Sequence, residues 1–275
     1  MKKFLAFLDK LDRRIIFLVL LLAVILPFIF PLKLKLFISE PTRNAYDYIE
    51  KKLAPGSLTV LAFDYYATTI VECDPMALAV ARHLFARGMK IITYSLIPDS
   101  ANISMRIMNQ AAKEMGKKYG EDYVILGFKS GSMAAIKSFC QDIPGTFPQD
   151  VYGKSISSYP LTRNLKNYRD IAFLFGVADN ASLNFHIIME ASQYKIPVAG
   201  GCTAVSVPDL YVYLNSGQLI GLLGGLKGAA EYENLIHHPG TATVGMQAQS
   251  IAHFAIAFFI ILANLVYFGR KKFLK

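Results

Sequence analysis

Two uncharged apolar runs, one near each end of the sequence, limit the kinds of fold that the residues between them can form. Residues 15–32 read IIFLVLLLAVILPFIFPL, and residues 251–268 read IAHFAIAFFIILANLVYF. Each run has eighteen residues without Asp, Glu, Lys or Arg, which is close to the length of a helix that crosses a bilayer. We therefore expect one transmembrane helix at residues 15–32 and a second at residues 246–269.

Basic side chains lie on the outer side of both runs. They are Lys2, Lys3, Lys10, Arg13 and Arg14 before the first run, and Arg270, Lys271, Lys272 and Lys275 after the second. By the positive-inside rule, both termini lie in the cytoplasm, residues 270–275 form a basic cytoplasmic tail, and the middle of the chain lies on the extracytoplasmic side of the cell (inner) membrane. Lys33 and Lys35 follow the first run and oppose this orientation.

The first fourteen residues have an amphipathic pattern of their own. Phe4, Leu5, Phe7, Leu8 and Leu11 fall largely on one face of a helix, which predicts an interfacial segment at residues 1–14. The apolar run that follows has no small-x-small cleavage site after it, so we expect an uncleaved anchor rather than a signal peptide.

The charge and the cysteines exclude several classes of protein. The net charge is +9, but residues 43–240 carry eighteen Lys or Arg against seventeen Asp or Glu, so the excess belongs to the membrane flanks and predicts no nucleic-acid partner. The three cysteines, Cys73, Cys140 and Cys202, are far apart and lack CxxC or His partners, so we predict no metal site. One disulfide with one free thiol stays open outside the cytoplasm.

Between the two runs, short apolar segments alternate with segments of helical periodicity. SLTVLAFDYY, MKIITYSLI, DYVILGF, IAFLFGV and IPVAGG have the length of strands. Such alternation is typical of a parallel sheet covered on both faces, whose strands are apolar throughout because both sides are buried. We expect an α/β domain at residues 43–240, with a Rossmann-like parallel sheet of about five strands. Neither GxGxxG nor GxxxxGK[ST] occurs, so the cofactor is unknown.

Polar residues follow the predicted strands, where ligands bind in open parallel sheets. The predicted ligand-binding residues are Lys129, Ser130, Gly131, Ser132, Asp64, Asp179, Cys202 and Thr203. The segment 129–132 is the sharpest of these, because a strand there ends in a Gly/Ser turn that opens a helix, and free N–H groups beside Lys129 favour a small anion. The alternative is that Ser130 or Ser132 only caps that helix.

Two side chains are candidate nucleophiles. Cys202 lies at another predicted strand-to-helix junction, where a helix dipole can lower a thiol pKa, although a cysteine there is more often a small core residue. Ser132 is the other candidate. No histidine is placed by the sequence beside either residue, so no catalytic triad is predicted.

The stretch SGQLIGLLGGLKGAAEYE is unusually rich in glycine. Gly217, Gly221, Gly224, Gly225 and Gly228 follow helical offsets, which predicts one smooth face on a single helix. Each interior glycine costs a helix about 1 kcal/mol relative to alanine, so a close contact must compensate. The partner is either this domain's own sheet, another copy of the chain or a neighbouring membrane protein, and the last two make these glycines an assembly surface.

Two functions remain. The first is a membrane-anchored scaffold or sensor subunit, part of a homo-oligomer or of an assembly with other membrane proteins, that binds a small anion at the 129–132 turn. The second is a membrane-bound hydrolase or transferase that uses Ser132 or Cys202 as its nucleophile. The first is favoured because the sequence contains no convincing catalytic set.

Overall fold

The structure is a computed structural model that describes residues 12–30 and 36–273, with side chains up to residue 269. The chain divides into two compact units. One comprises Met1–Lys35 with Thr243–Lys275, and the other is Leu36–Ala242. Most of the predicted interfacial segment 1–14 lies outside the described residues, as do the side chains of the predicted tail 270–275.

The first unit contains two apolar helices, α1 (Arg13–Ile29) and most of α10 (Thr241–Phe273). Among the described residues, the part of α10 at Thr241–Gly269 is the one helix long and apolar enough to cross a bilayer, judged by length and composition alone. Helix α1 has seventeen residues, and residues 31–35 after it are not described, so a spanning helix at residues 15–32 is not shown. The predicted pair of membrane helices is therefore supported only at its C-terminal member.

Apolar side chains of α1 and α10 line a common groove. Ile15, Val19 and Leu22 contribute from α1, and Phe254 and Phe258 contribute from α10. Most apolar side chains of α10 are otherwise exposed, as is typical of a helix whose surroundings are lipid or another apolar surface.

The second unit is built on six parallel strands. They are β1 (Leu58–Asp64), β2 (Lys90–Ser95), β3 (Tyr123–Phe128), β4 (Phe173–Ala178), β5 (Val198–Cys202) and β6 (Leu222–Gly224). Their order in the sheet is β3-β2-β1-β4-β5-β6, which is the doubly wound order with its switch point between β1 and β4. The predicted α/β class and parallel sheet are confirmed, and the predicted number of about five strands is corrected to six.

Helices cover both faces of this sheet. One face carries α2 (Glu40–Lys52), α3 (Ile70–Ala86), α4 (Ser100–Glu114) and α9 (Gly225–Leu235). The other carries α5 (Met133–Gln141), the helical turn α6 (Ile143–Thr146), α7 (Ser182–His186), its π-helical continuation Ile187–Gln193, and α8 (Val207–Asn215).

Small residues in neighbouring strands let helices approach the sheet closely. Gly176 of β4 lies opposite Gly200 of β5, and the side chain of Leu183 from α7 packs over both. On the other face, Gly201 makes room for Met76 of α3. A Cβ at Gly200 would lie 2.7 Å from a Leu183 methyl carbon, so these glycines set the depth at which the helices pack.

The single glycine helix predicted at residues 217–228 is wrong. Gly217 lies in a turn with φ of +73°, Leu222–Gly224 form the edge strand β6, and Gly225 begins α9 with φ of +59°. The helical offsets are coincidental, because a positive φ at two of the five glycines interrupts any continuous helix. Four of the five glycines are nevertheless needed for close approach.

The glycine contacts lie inside the domain. Gly221 touches the backbone of α2 at Pro41 and Ala45, and Gly228 packs on the backbone of Leu223. Gly224 faces Val207 and Gly225 faces Ala204. The physical basis for a shared glycine face is therefore lost, and an assembly role for these residues stays a prediction without a helix to carry it.

We predict that Gly221→Ala destabilises the domain far more than Gly217→Ala. A Cβ at Gly221 would lie 2.6 Å from the carbonyl oxygen of Pro41, and helix backbone cannot move aside as a side chain can. We expect a loss of about 3 kcal/mol or more, which for a domain of this size lowers Tm by about 6–12 °C. Thermal unfolding of the full-length protein in detergent measures the effect.

Gly217→Ala is the matched control. No atom lies within 4 Å of a Cβ at Gly217, so only its positive φ opposes the change, at a cost of about 1 kcal/mol. Equal melting temperatures for the two variants would show that the contact between β6 and α2 is not tightly packed.

Candidate functional site

The carboxyl edge of the sheet at the switch point is the first place to look for a site. Asp64 ends β1, and Asp179 and Asn180 follow β4 directly. The side-chain amide of Asn180 donates to the carbonyl oxygen of Asp64 at 2.7 Å, which joins the two strand ends. Sequence reasoning placed Asp64 and Asp179 together at this edge, and their strands are indeed neighbours.

The carboxylate of Asp64 is turned into the core and is fully buried. Its Oδ1 accepts a hydrogen bond from the backbone N–H of Leu96 at 2.6 Å, and its Oδ2 lies 2.7 Å from Nε2 of His186. Helix α7 supplies His186 from the face of the sheet that carries Leu183. Asp64 therefore has an internal partner for each oxygen and is closed to solvent.

His186 lies between two buried carboxylates. Its Nδ1 is 2.6 Å from Oε2 of Glu190, one turn further along the chain in the π-helical segment. The hydroxyl of Tyr94 on β2 donates to Oε1 of the same carboxylate at 2.8 Å. We call Asp64, Tyr94, His186 and Glu190 the buried acid–imidazole cluster.

The charge of this cluster follows from its geometry. Burial by itself lowers the pKa of His186, but the adjacent carboxylates of Glu190 and Asp64 outweigh burial and raise it to about 10. Burial, followed by the charge of Glu190, holds the pKa of Tyr94 well above its usual value. The two adjacent carboxylates therefore favour the imidazolium form of His186, which acts in the fold as a cation between two buried anions.

Asp179 lies at the rim, and its carboxylate is also satisfied within the domain. Its Oδ2 accepts from the backbone N–H of Tyr66 at 2.9 Å and from the hydroxyl of Thr69 at 2.7 Å. Its Oδ1 accepts from the amide of Asn180 at 2.7 Å. Asp179 therefore orders the loop after β1, and a ligand would have to break these bonds to use it.

The segment 129–132 does form the predicted strand–turn–helix. The ammonium of Lys129 donates to the carbonyl oxygen of Thr146 at 3.0 Å, while Ser130, Gly131 and Ser132 are exposed. Ser132 precedes α5 without a side-chain capping bond, so capping does not explain it. Its φ of +46° and ψ of −117° are strained for a residue with a Cβ.

Cys202 and Thr203 end β5 in protected positions. The Cys202 side chain is buried, and burial together with the charge of Glu72 raises the pKa of its thiol to about 12. The hydroxyl of Thr203 lies 3.1 Å from that of Ser206. All three cysteines are free, so the predicted disulfide alternative is not present, and Cys202 is a core thiol instead of an activated nucleophile.

The eight predicted ligand residues do not converge. Lys129 follows β3 and Cys202 ends β5, and these strands are four spacings apart in the sheet, or roughly 19 Å. Asp64, Asp179 and Cys202 lie at the ends of the adjacent strands β1, β4 and β5, but both carboxylates already have internal partners and the thiol is buried. Sequence reasoning missed Tyr94, His186 and Glu190. The spacing of His186 and Glu190 on one helix was a signal for an ion pair, but nothing local pointed to Asp64 as the third member.

The surface at this edge includes four exposed apolar side chains beside polar groups such as Asn180. Tyr66, Ile70, Val71 and Val205 are exposed at its loops, with Val205 86% and Val71 70% accessible. A hydrogen bond connects the two loops that carry these valines. Oε2 of Glu72, which follows Val71, accepts from the backbone N–H of Ala204, which precedes Val205, at 2.9 Å. We call these four apolar side chains the apolar rim. Exposed apolar side chains gathered at one place commonly mark an interaction surface.

No family model matches the chain, and no curated protein or solved structure matches it either. Within the described residues, no group of three His, Cys, Asp or Glu side chains is arranged to hold a metal ion.

We predict that the stability of the domain falls as the pH rises from about 6.5 to about 8.5. The pKa of His186 is raised on folding, so its contribution is complete below the unfolded pKa of about 6.5 and is lost progressively toward the folded value of about 10. The buried thiols, whose pKa values are also raised on folding, add a decline only as the pH approaches their unfolded pKa of about 9. His186→Gln should therefore remove the decline below about pH 8.5 and, by leaving two buried carboxylates unpaired, cost about 3–5 kcal/mol at pH 6.5. Thermal unfolding of the full-length protein across this pH range measures both effects.

His83→Gln is the matched control. His83 also bonds a carboxylate, with Nε2 2.9 Å from Glu50, but burial lowers its pKa, so its protonation changes below pH 6.5. The variant should keep the alkaline decline. If both variants lose it, or if the unmodified protein shows none, His186 is not the charged member of the cluster.

Proposed function

We propose that this protein is a membrane-tethered α/β docking subunit that holds a protein partner at the carboxyl edge of its sheet. The observation that carries the proposal is the apolar rim, which occupies the place where doubly wound proteins bind their ligands. A scaffold or sensor role in a membrane assembly follows from this surface together with the apolar helix α10.

The chemistry of the edge favours a protein over a small polar ligand. A small-molecule site needs a few convergent polar groups with free hydrogen-bonding capacity. The carboxylate oxygens of Asp64 and Asp179 accept hydrogen bonds from donors within the domain, and the Cys202 thiol is buried. Exposed Val71 and Val205 instead offer apolar area that gains free energy when a partner covers it.

Acidic side chains beside the apolar rim indicate which kind of partner it would bind. The carboxylates of Glu72, Asp179 and Asp209 lie in the same loops and first turns as the rim residues. Acidic groups beside an apolar centre disfavour an anionic lipid surface and favour a protein with an apolar anchor and basic side chains around it. We propose a partner of this kind. The alternative that the experiment below distinguishes is a second copy of this chain.

The membrane arrangement belongs to the same proposal. Residues 15–32 and 246–269 are the two anchors, both termini are cytoplasmic, and the α/β domain is extracytoplasmic. The basic flanks of the two apolar runs support this orientation. The partner is accordingly another membrane protein or one that reaches the extracytoplasmic surface.

We predict that Val205→Glu, alone or with Val71→Glu, strongly weakens partner binding. A carboxylate at the centre of an apolar contact must be desolvated against other carboxylates, which weakens binding by about tenfold or more. The measurement is photo-crosslinking in native membranes from a crosslinking residue at position 70, followed by quantification of each crosslinked band.

Ile188→Glu is the matched control, because Ile188 is an exposed apolar residue of the π-helical segment that does not belong to the apolar rim. It should leave the crosslinks unchanged. A crosslinked product with twice the mass of the chain would show self-association. That result would overturn the proposal that the partner is a different protein. Bands that keep their intensity in Val205→Glu would overturn the docking surface itself.

A second function has one specific observation in its favour. Ser132 is exposed, strained and placed between β3 and α5, as the nucleophile is in strand–turn–helix hydrolases. In that case Ser132 would attack an acyl substrate, while N–H groups at the start of α5 stabilise the oxyanion. Among the residues that the structure describes, no hydrogen bond joins the Ser132 hydroxyl to a base, which is why this function ranks second.

A fluorophosphonate probe separates the two functions. Acyl transfer predicts stoichiometric labelling of the folded protein that Ser132→Ala removes and that the neighbouring Ser130→Ala leaves intact. The docking proposal predicts no labelling of either serine. Labelling that persists in Ser132→Ala would exclude Ser132 as the nucleophile.

A further inference from the structure

A small pocket of about 170 Å³ opens where α2, α8, β6 and α9 meet. Its wall is mainly apolar, with Val207, Leu214 and Leu222 as aliphatic contributors and Tyr211 at one side. Gly224 and Gly228 also line it, and side chains at these positions would collide with Val207 and the backbone of Leu223. Both glycines are therefore packed closely against the wall of the pocket.

One buried carboxylate, that of Glu231 on α9, lines the pocket. The side chain is only 1% exposed. Its Oε2 is well satisfied, since the backbone N–H of Ser39 donates at 3.1 Å and the hydroxyl of Ser39 donates at 2.6 Å. Its Oε1 has no hydrogen-bond donor, although it is buried. A buried carboxylate oxygen without a donor is costly, and the cost is relieved by any donor that enters the pocket.

Lys227 supplies the positive charge nearest to this oxygen, and a ligand cation would have to displace it. The ammonium of Lys227, one helical turn earlier, forms an ion pair with Oε1 of Glu231 at 3.2 Å, in a geometry that makes no hydrogen bond. The Lys227 side chain is 57% exposed, so solvent screens this pair from the lysine side only. Lys227 can swing into solvent when another cation takes its place, because its long side chain is flexible.

We propose that this pocket binds a small molecule that carries a primary ammonium group on a short aliphatic body. The ammonium would donate to Oε1 of Glu231, which supplies the missing charge-assisted hydrogen bond. The aliphatic body would contact Val207, Leu214 and Leu222. The volume limits the ligand to several non-hydrogen atoms, since one water occupies about 30 Å³ of liquid.

This ligand site is independent of the proposed docking function. It depends on Glu231 and the glycine-lined space, and none of the four apolar-rim residues lines the pocket. A failure of the docking proposal would therefore not affect the proposed ligand site. A failure to bind the ligand would likewise not affect the docking proposal.

The test is calorimetric titration of the full-length protein in detergent with isobutylammonium chloride. Saturable binding is expected for this probe, while isobutyrate, which has the same carbon skeleton and the opposite charge, should not bind. Tetramethylammonium has the charge but no N–H donor, so it should bind at least about tenfold more weakly. Equal binding of isobutylammonium and tetramethylammonium would overturn the hydrogen bond to Glu231.

Two variants with opposite expected effects complete the test. Glu231→Gln keeps the shape of the side chain but removes its charge, and should weaken isobutylammonium binding by about tenfold or more. Lys227→Met removes the competing cation and should strengthen binding by about two- to fivefold. Unchanged affinity in Glu231→Gln, or weaker binding in Lys227→Met, would overturn the proposal. The exposed position of residue 227 keeps the second variant informative if the first does not fold.

Discussion

The buried contact between Asp64, His186 and Glu190 is the interaction on which the rest of the domain depends. It joins the end of β1 to helix α7 across the switch point, and Tyr94 connects it to β2. An imidazolium between two carboxylates inside a core has a large desolvation cost, which only short and complete hydrogen bonding offsets. All four side chains are fully or almost fully buried, so the positions of three elements are coupled through a network that tolerates little displacement.

This network also determines what is left at the surface. In a doubly wound sheet, polar groups at the carboxyl ends of the central strands usually face a ligand. Here Asp64 faces inward to His186, and Asp179 is bound to the loop that carries Tyr66 and Thr69. Val71 and Val205 are exposed at the same edge. The internally bonded carboxylates and the exposed valines therefore lie together where a doubly wound sheet usually binds its ligand.

The sequence predicted the parallel sheet because unalternated apolar segments report burial on both sides, a property of each strand alone. It could not predict the sixth strand, since Leu222–Gly224 is three residues long and lies among glycines whose spacing imitates a helix. The candidate site was harder still. The positions of Asp64 and Asp179 followed from topology, whereas the direction of the Asp64 side chain depends on His186, 122 residues later. Tertiary partners of this kind leave no local pattern.

The glycine-rich segment brings three close contacts together at the edge of the sheet. Gly221 admits the backbone of α2 against β6, while Gly224 lies against Val207 and Gly228 lies against the backbone of Leu223. Gly224 and Gly228 also line the pocket beside Glu231, so the wall of the pocket is closely packed at both positions. Because Ser39 at the start of α2 bonds the same carboxylate, the tight contact at Gly221 holds in place the donor that orients Glu231 toward the pocket. The packing of the edge strand and the geometry of the pocket are therefore properties of a single contact between α2 and the segment that includes β6 and α9.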